Sequence, residues 1–176
     1  MRNLGLTLVA GLALAGCEQT PLVGPQEASV TLASVADPAG IAALARGAAH
    51  RDADARPVML NFHATLYEDG TARGQYYFRA VASGVWIQVG VTCMSTQDDN
   101  KAWIGGIIES SSIPSLVGTV SYFYTFDNGE GDDGTDIVSL TRAADQAGED
   151  LLFCDEQPEQ LPSREVLHGN VNVDVF

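Results

Sequence analysis

Five carboxylates stand within ten residues of one another: Asp127, Glu130, Asp132, Asp133 and Asp136, interleaved with Gly129, Gly131 and Gly134. Oxygen donors on a glycine-rich loop can wrap a hard cation, and calcium, which takes about six to eight oxygens, is the ion such a set would hold. The spacing departs from the EF-hand pattern, because the positions two and four after Asp127 are both Gly. The simpler reading is a solvated turn between strands, in which Asp127-Asn128-Gly129 supplies left-handed positions. These five residues are the chain's one metal candidate, and calcium is the one cofactor the sequence admits.

Other catalytic chemistry is thin. The three histidines, His50, His63 and His168, stand at no metal-ligand spacing such as i,i+2 or i,i+4, and each reads as a surface histidine. Ser110-Ser111-Ser112 reads as a loop, and neither a G-x-S-x-G elbow nor an S-x-x-K motif occurs. Phosphate-cradling glycine loops are absent as well. Tyr76, Tyr77, Phe78, Tyr122, Phe123, Tyr124 and Phe126 read as core and cross-strand pairs rather than a sugar platform. No catalytic residue is assigned, and the expectation is a protein that is not an enzyme.

Residues 1–16 read as targeting. Arg2 gives a positive start, and residues 4–16 are uncharged and small or apolar, which fits a signal h-region. The run is too short for a membrane span, which needs about 20 apolar residues. It ends Leu14-Ala15-Gly16-Cys17, which closely resembles the bacterial lipoprotein signal. That resemblance implies a diacylglyceryl group on the Cys17 thiol, cleavage before Cys17 and acylation of the new amino terminus. A plain secretory signal followed by a chance cysteine is the alternative. One acyl chain anchors only marginally, whereas two or three hold a protein firmly. Glu18 after the cysteine is compatible with the outer membrane.

With Cys17 assigned to lipid, Cys93 and Cys154 remain. An even pair in an exported chain reads as a disulfide, with two buried free thiols as the alternative. The loop closed would span about 61 residues, worth roughly 4 kcal/mol by chain entropy. A metal site built on two cysteines without neighbouring ligands is poorly supported.

The chain has 176 residues and a formal charge of −14, with a single lysine, Lys101. So acidic a surface argues against nucleic acid and against charge-driven attachment to anionic lipid. Membrane contact is therefore expected through the lipid on Cys17 alone, with any protein or small-molecule partner unassigned.

Local patterns place these residues. Residues 18–36 are Gln, Pro, Gly, Ser, Thr and small apolar residues, read as a tether. Asp37-Pro38 with Ile41, Leu44, Ala45 and Ala48 predicts a short weak helix, Asp37 as N-cap and Pro38 at N1. The charged stretch 51–56 ending at Pro57 predicts a boundary. From Pro57 the period becomes two, the strand signature. Val58, Leu60, Phe62, Ala64 and Leu66 form one face, followed by a turn at Glu68-Asp69-Gly70. Ala72, Gly74, Tyr76, Phe78 and Ala80 continue the pattern, then Val85, Ile87, Val89, Val91 and Cys93 on one face. Further strands are expected at 102–108, with Gly105-Gly106 marking a bulge or bend, at 117–126, 135–141 and 151–154, and at the closing Val171, Val173 and Val175. About eight hairpin-linked strands predict an all-β fold, an antiparallel sandwich or small barrel. The predicted organisation is 1–16 signal, 17–56 lipidated N-terminus and tether with one short helix, and 57–176 β-domain.

Several motifs in order carry a second resemblance: Val91-Thr92-Cys93, Ala102-Trp103-Ile104-Gly105-Gly106, Leu116-Val117-Gly118-Thr119, Asp127-Asn128-Gly129-Glu130-Gly131, Asp136-Ile137-Val138-Ser139 and His168-Gly169-Asn170-Val171-Asn172-Val173. Residues 57–176 resemble a family of uncharacterised exported bacterial β-domains. The resemblance implies a secreted β-domain and supports pairing Cys93 with Cys154, but it brings no activity. Gly134-Thr135 departs from a proline pair common in that family, which implies a more flexible loop. The function expected is that of a membrane-anchored cell-envelope lipoprotein acting by binding or structural interaction. The alternatives are a carrier with a barrel cavity for a small apolar ligand, and a calcium-stabilised surface domain.

Overall fold

The structure is a computed structural model and describes residues 40–53, 56–129 and 135–176, with the side chains of 52–56 left out. The signal, Cys17, the tether and Glu130, Asp132 and Asp133 lie outside the described residues. The strands are β1 (Ile41–Ala53), β2 (Arg56–Tyr67), β3 (Ala72–Ala80), β4 (Trp86–Gln97), β5 (Lys101–Ser111), β6 (Val120–Phe126), β7 (Ile137–Ser139), β8 (Arg142–Ala144), β9 (Ser163–Glu165) and β10 (His168–Val175), and one helix, α1, runs Glu149–Glu156. The strands form one antiparallel sheet in the order β10-β1-β2-β3-β4-β5-β6-β7-β9, with β8 also on β6. The sheet curls into a half-barrel. The all-β expectation therefore holds, in ten described strands rather than about eight.

Alternation sets the two faces. On β2, Val58, Leu60, Phe62 and Ala64 are buried while Met59, Asn61 and His63 are exposed. Val89, Ile104, Phe123, Val138, Val171 and Val173 join Leu60, Phe62 and Ala64 in one core on the inner face. The β2–β3 turn falls where expected: Asp69 Oδ1 accepts the Thr71 N–H and hydroxyl at 2.9 and 2.6 Å, and Gly70 takes φ +80°.

Three local expectations are corrected. First, residues 41–53 form β1, paired with both β2 and β10, instead of a helix. Small residues explain the misreading. Ala43, Ala45, Gly47 and Ala49 satisfy a strand period as readily as a weak helical one, and pairing decides. They are small because β1 passes close over the core: a Cβ on Gly47 would stand 2.8 Å from the Phe62 ring. The β-domain thus begins before Pro57. Second, residues 151–154 lie in α1, not in a strand. Asp150, Phe153 and Cys154 are its buried positions, a helical i, i+3, i+4 set, in a run too short for its period to be told apart. Third, Cys93 does not share a face with Val91. A bulge between Val91 and Cys93 shifts the register, so Met94 joins the inner core and Cys93 pairs opposite Gly105 on the outer face.

That outer face is covered over β5 and β6. Trp103, Tyr122, Tyr124 and Phe153 form a second cluster beneath α1, with Tyr122 and Phe153 stacked at 4.4 Å. The Cys93–Cys154 disulfide joins β4 to α1. Thr92 Oγ1 donates to Asp150 Oδ2, and Trp103 Nε1 donates to the Pro158 carbonyl at 3.1 Å. Gly105-Gly106 makes the packing possible. A Cβ on Gly105 would meet Cys93 Sγ and Asp150 Cβ at under 3 Å, and one on Gly106 would collide with the Gly90 carbonyl across the coiled sheet.

Candidate binding surface

The acidic loop comes first, because it held the strongest chemical expectation. Its first and last carboxylates are occupied by backbone. Asp127 Oδ1 accepts the Gly129 N–H and its Oδ2 the Val173 N–H, at 3.0 and 3.1 Å. Asp136 Oδ1 accepts the Asn128 N–H at 3.1 Å and its Oδ2 the Val171 N–H at 2.7 Å. These bonds tie the β6–β7 end of the sheet to β10, so side chains do what a ladder would do in a closed barrel. Glu130, Asp132 and Asp133 lie outside the described residues. Among the described residues, no group of three or more His, Cys, Asp or Glu is placed to hold a metal ion.

The inner face offers little room. Phe123 packs edge-on against Phe62 at 5.3 Å and against Tyr76 at 5.0 Å, across the middle of the sheet's concavity. Its polar members are few. The Tyr76 and Ser121 hydroxyls lie inside without a regular hydrogen bond, and burial pushes the Tyr76 phenol up. Arg51 is 1 % exposed and neither Nη1 nor Nη2 has a hydrogen-bond partner. Desolvation, with the nearby Arg164 charge, pulls its guanidinium down to about 10.

The outer face of β2, β3 and the start of β4 is different, because α1 reaches β4 only from Thr92 onward. Rows of paired residues cross it: Asn61 opposite Tyr77 opposite Gln88, His63 opposite Gln75, and Met59 opposite Arg79 opposite Trp86. Asn61, His63, Gln75, Tyr77 and Gln88, with Gly47, Phe62 and Tyr76 beneath them, line a shallow groove of about 490 Å³. The Tyr77 and Trp86 rings stack at 6.2 Å with 25° between their planes, and both are half-buried. Gln88 Nε2 reaches Gln75 Oε1, and Ser110 Oγ reaches Gln88 Oε1, both at a loose 3.4 Å. These amides keep spare donors and acceptors.

Charge on this face is unusual for the molecule. Strands β2, β3 and β4 carry no Asp or Glu, although the chain has 23. Arg73 and Arg79 project from β3, and Arg46 on β1 lies opposite His63. Asp174 faces Arg46 at 3.8 Å, and the Glu109 carboxylate lies over Gly90 at the groove's edge. His50 and His168, distant in sequence, meet across β1 and β10 with rings stacked at 6.0 Å. His63 is exposed on its strand, as its outward phase predicts.

Sequence reasoning passed over this surface. By sequence, Tyr76, Tyr77 and Phe78 read alike as core and cross-strand pairs, whereas Tyr76 is buried inside and Tyr77 stands outside. The signal was available in the strands that alternate without a single acid in a strongly acidic chain. No protein-family model, curated protein or solved structure matches this chain.

Proposed function

We propose that this protein is a cell-envelope lipoprotein, anchored by lipid on Cys17, whose β-domain is a non-enzymatic binding module. Its working surface is the outer face of β2–β4. The observation that carries the reading is the uncovered groove of about 490 Å³, floored by the sheet and edged by amide, imidazole and phenol groups over a largely apolar bed. Rigid strands hold such groups in place at little entropic cost on binding. A carrier with an interior cavity needs space that Phe62, Tyr76 and Phe123 fill. A calcium-stabilised domain would need Asp127 and Asp136 to exchange backbone amides for the ion. The Leu14-Ala15-Gly16-Cys17 signal and the order of motifs after residue 57 support membership of the uncharacterised exported β-domains.

Two measurements test this. Mass spectrometry of the mature protein from membranes should find diacylglycerol on Cys17, and Cys17→Ser should leave the precursor uncleaved. Absence of the lipid overturns the anchor. Amide hydrogen exchange of the mature chain should then slow at β2–β4 when polysaccharide extracted from the envelope is added. Protection confined to other strands, or none, overturns the choice of surface.

A further inference from the structure

We propose that the outer face of β2–β4 binds an acidic polysaccharide; the inference rests on that surface being the binding surface and names the class of ligand. Three independent features of the face converge on it.

The first is electrostatic. In a molecule of net charge −14, three adjacent strands contain no Asp or Glu, and the carboxylates that reach this face come from its margins, Glu109 over Gly90 and Asp174 beside Arg46. The same face, extended across β1 and β10, presents Arg46, Arg73 and Arg79 and all three histidines. Arg73 and Arg79 at this face, within an otherwise acidic surface, draw an anion here in preference to elsewhere on the molecule. Three arginines are too few, and the rest of the surface too repulsive, for the dense phosphates of a nucleic acid.

The second is the aromatic pair. Tyr77 lines the groove, and Trp86, opposite Arg79 in the neighbouring row, lies nearly parallel to it, both half-exposed. Flat rings with one free face suit the C–H face of a pyranose. Arg73 is partly engaged over the Tyr67 ring at 5.8 Å, which leaves Arg79 as the cation beside the pair.

The third is the row of amides. Asn61, Gln75 and Gln88 supply neutral donors and acceptors together, the chemistry that hydroxyl groups require. Neighbouring strands are about 4.8 Å apart, close to the length of one hexose unit. A chain laid across β1 to β4 would meet one registered side chain per residue of sugar. Hydroxyls go to the amides, a ring face to Tyr77, and a carboxylate to Arg79, since Arg46 already faces Asp174.

The test uses the full mature chain in detergent micelles, with alginate and polygalacturonate as acidic probes and dextran as a neutral one, read by affinity electrophoresis. Binding to the acidic probes should weaken as salt rises. It should fall at least tenfold in Arg79→Gln and in Tyr77→Ala, persist in Tyr77→Phe, and be unchanged in Leu151→Ala on the exposed side of α1. No binding to either acidic probe, or binding indifferent to Arg79→Gln and Tyr77→Ala, overturns the proposal. Equal binding to dextran that is still lost in Tyr77→Ala overturns the acidic class while leaving the surface reading in place.

Discussion

Strands β5 and β6 are buried on both faces, and β2 and β3 on only one. From Ala102 to Gly106 and from Val120 to Thr125 every residue is buried, whereas along β2 buried and exposed residues alternate. The covering of β5 and β6 is made by α1, the disulfide and the segment after α1, whose Pro158 and Leu161 carbonyls accept Trp103 Nε1 and the Tyr124 hydroxyl. One sheet thus divides into a doubly packed half and a half with a free polar face. A free face can change its side chains without loss of core, so recognition chemistry has room there. The doubly packed half supplies the rigidity.

The largest effect expected from this division is loss of the cover. The disulfide closes a 61-residue separation, which the chain-entropy relation values at about 4 kcal/mol. Cys93→Ala with Cys154→Ala should lower the melting temperature by roughly ten degrees. Tryptophan emission should shift as Trp103 gains water. A melting change of only a degree or two would mean that α1 is held by packing alone and that the two halves differ less than their burial suggests.

The next effect is at the seam, where β10 meets the β6–β7 end. Asp136→Ala removes two hydrogen bonds to backbone N–H groups, one to buried Val171. Leaving such donors unpaired costs about 2 kcal/mol. Asp174→Ala, which removes only the exposed ion pair with Arg46 at 3.8 Å, should cost less than about 0.5 kcal/mol. Chemical denaturation of the two variants side by side reads the difference. Equal costs would mean that the carboxylate closure adds nothing beyond surface charge.

Much of this division is legible in the sequence, and the exceptions have physical causes. The alternation over β2 and β3 names both the inner face and the outward phase of His63, because nothing covers the outside and the pattern stays clean. Over β5 and β6 the cover erases the alternation, leaving an apolar run. The helix that makes the cover has four apolar-looking residues, too few to distinguish a period. β1 is hidden by its alanines and glycine, whose smallness serves contact with Phe62 and fits either period. The bulge at Thr92 turns Cys93 outward by one residue, and no local signal announces it. The pairing of Cys93 with Cys154 was nonetheless readable by counting. The groove is hidden because its side chains come from three strands, and the His50–His168 contact because it spans two, and neither can be seen before the register is known.

The smallest effect concerns the inner face, where Arg51 is the exception to an apolar lining. Its guanidinium is buried with Nη1 and Nη2 unpartnered, and its pKa is pulled down from the ordinary arginine value to about 10, by desolvation and then by Arg164. A base whose folded pKa lies below its unfolded value binds its proton less well when folded. Its cost is therefore fully present below about pH 10, and stability contributed by this group rises only as pH climbs above about 10 towards the ordinary arginine value. Arg51→Met keeps most of the stem and its contacts while removing the charge. It should raise stability by about 1 kcal/mol at neutral pH, since an uncompensated buried charge is replaced by an apolar group of similar length. Arg79→Met on the outer face should leave stability unchanged within about 0.5 kcal/mol, because that guanidinium is already in water. Melting curves of the two variants at pH 7 make the comparison. A fall in the Arg51→Met curve would mean that the guanidinium is compensated in the folded protein, and the inner face would then hold polar structure that its apolar lining conceals.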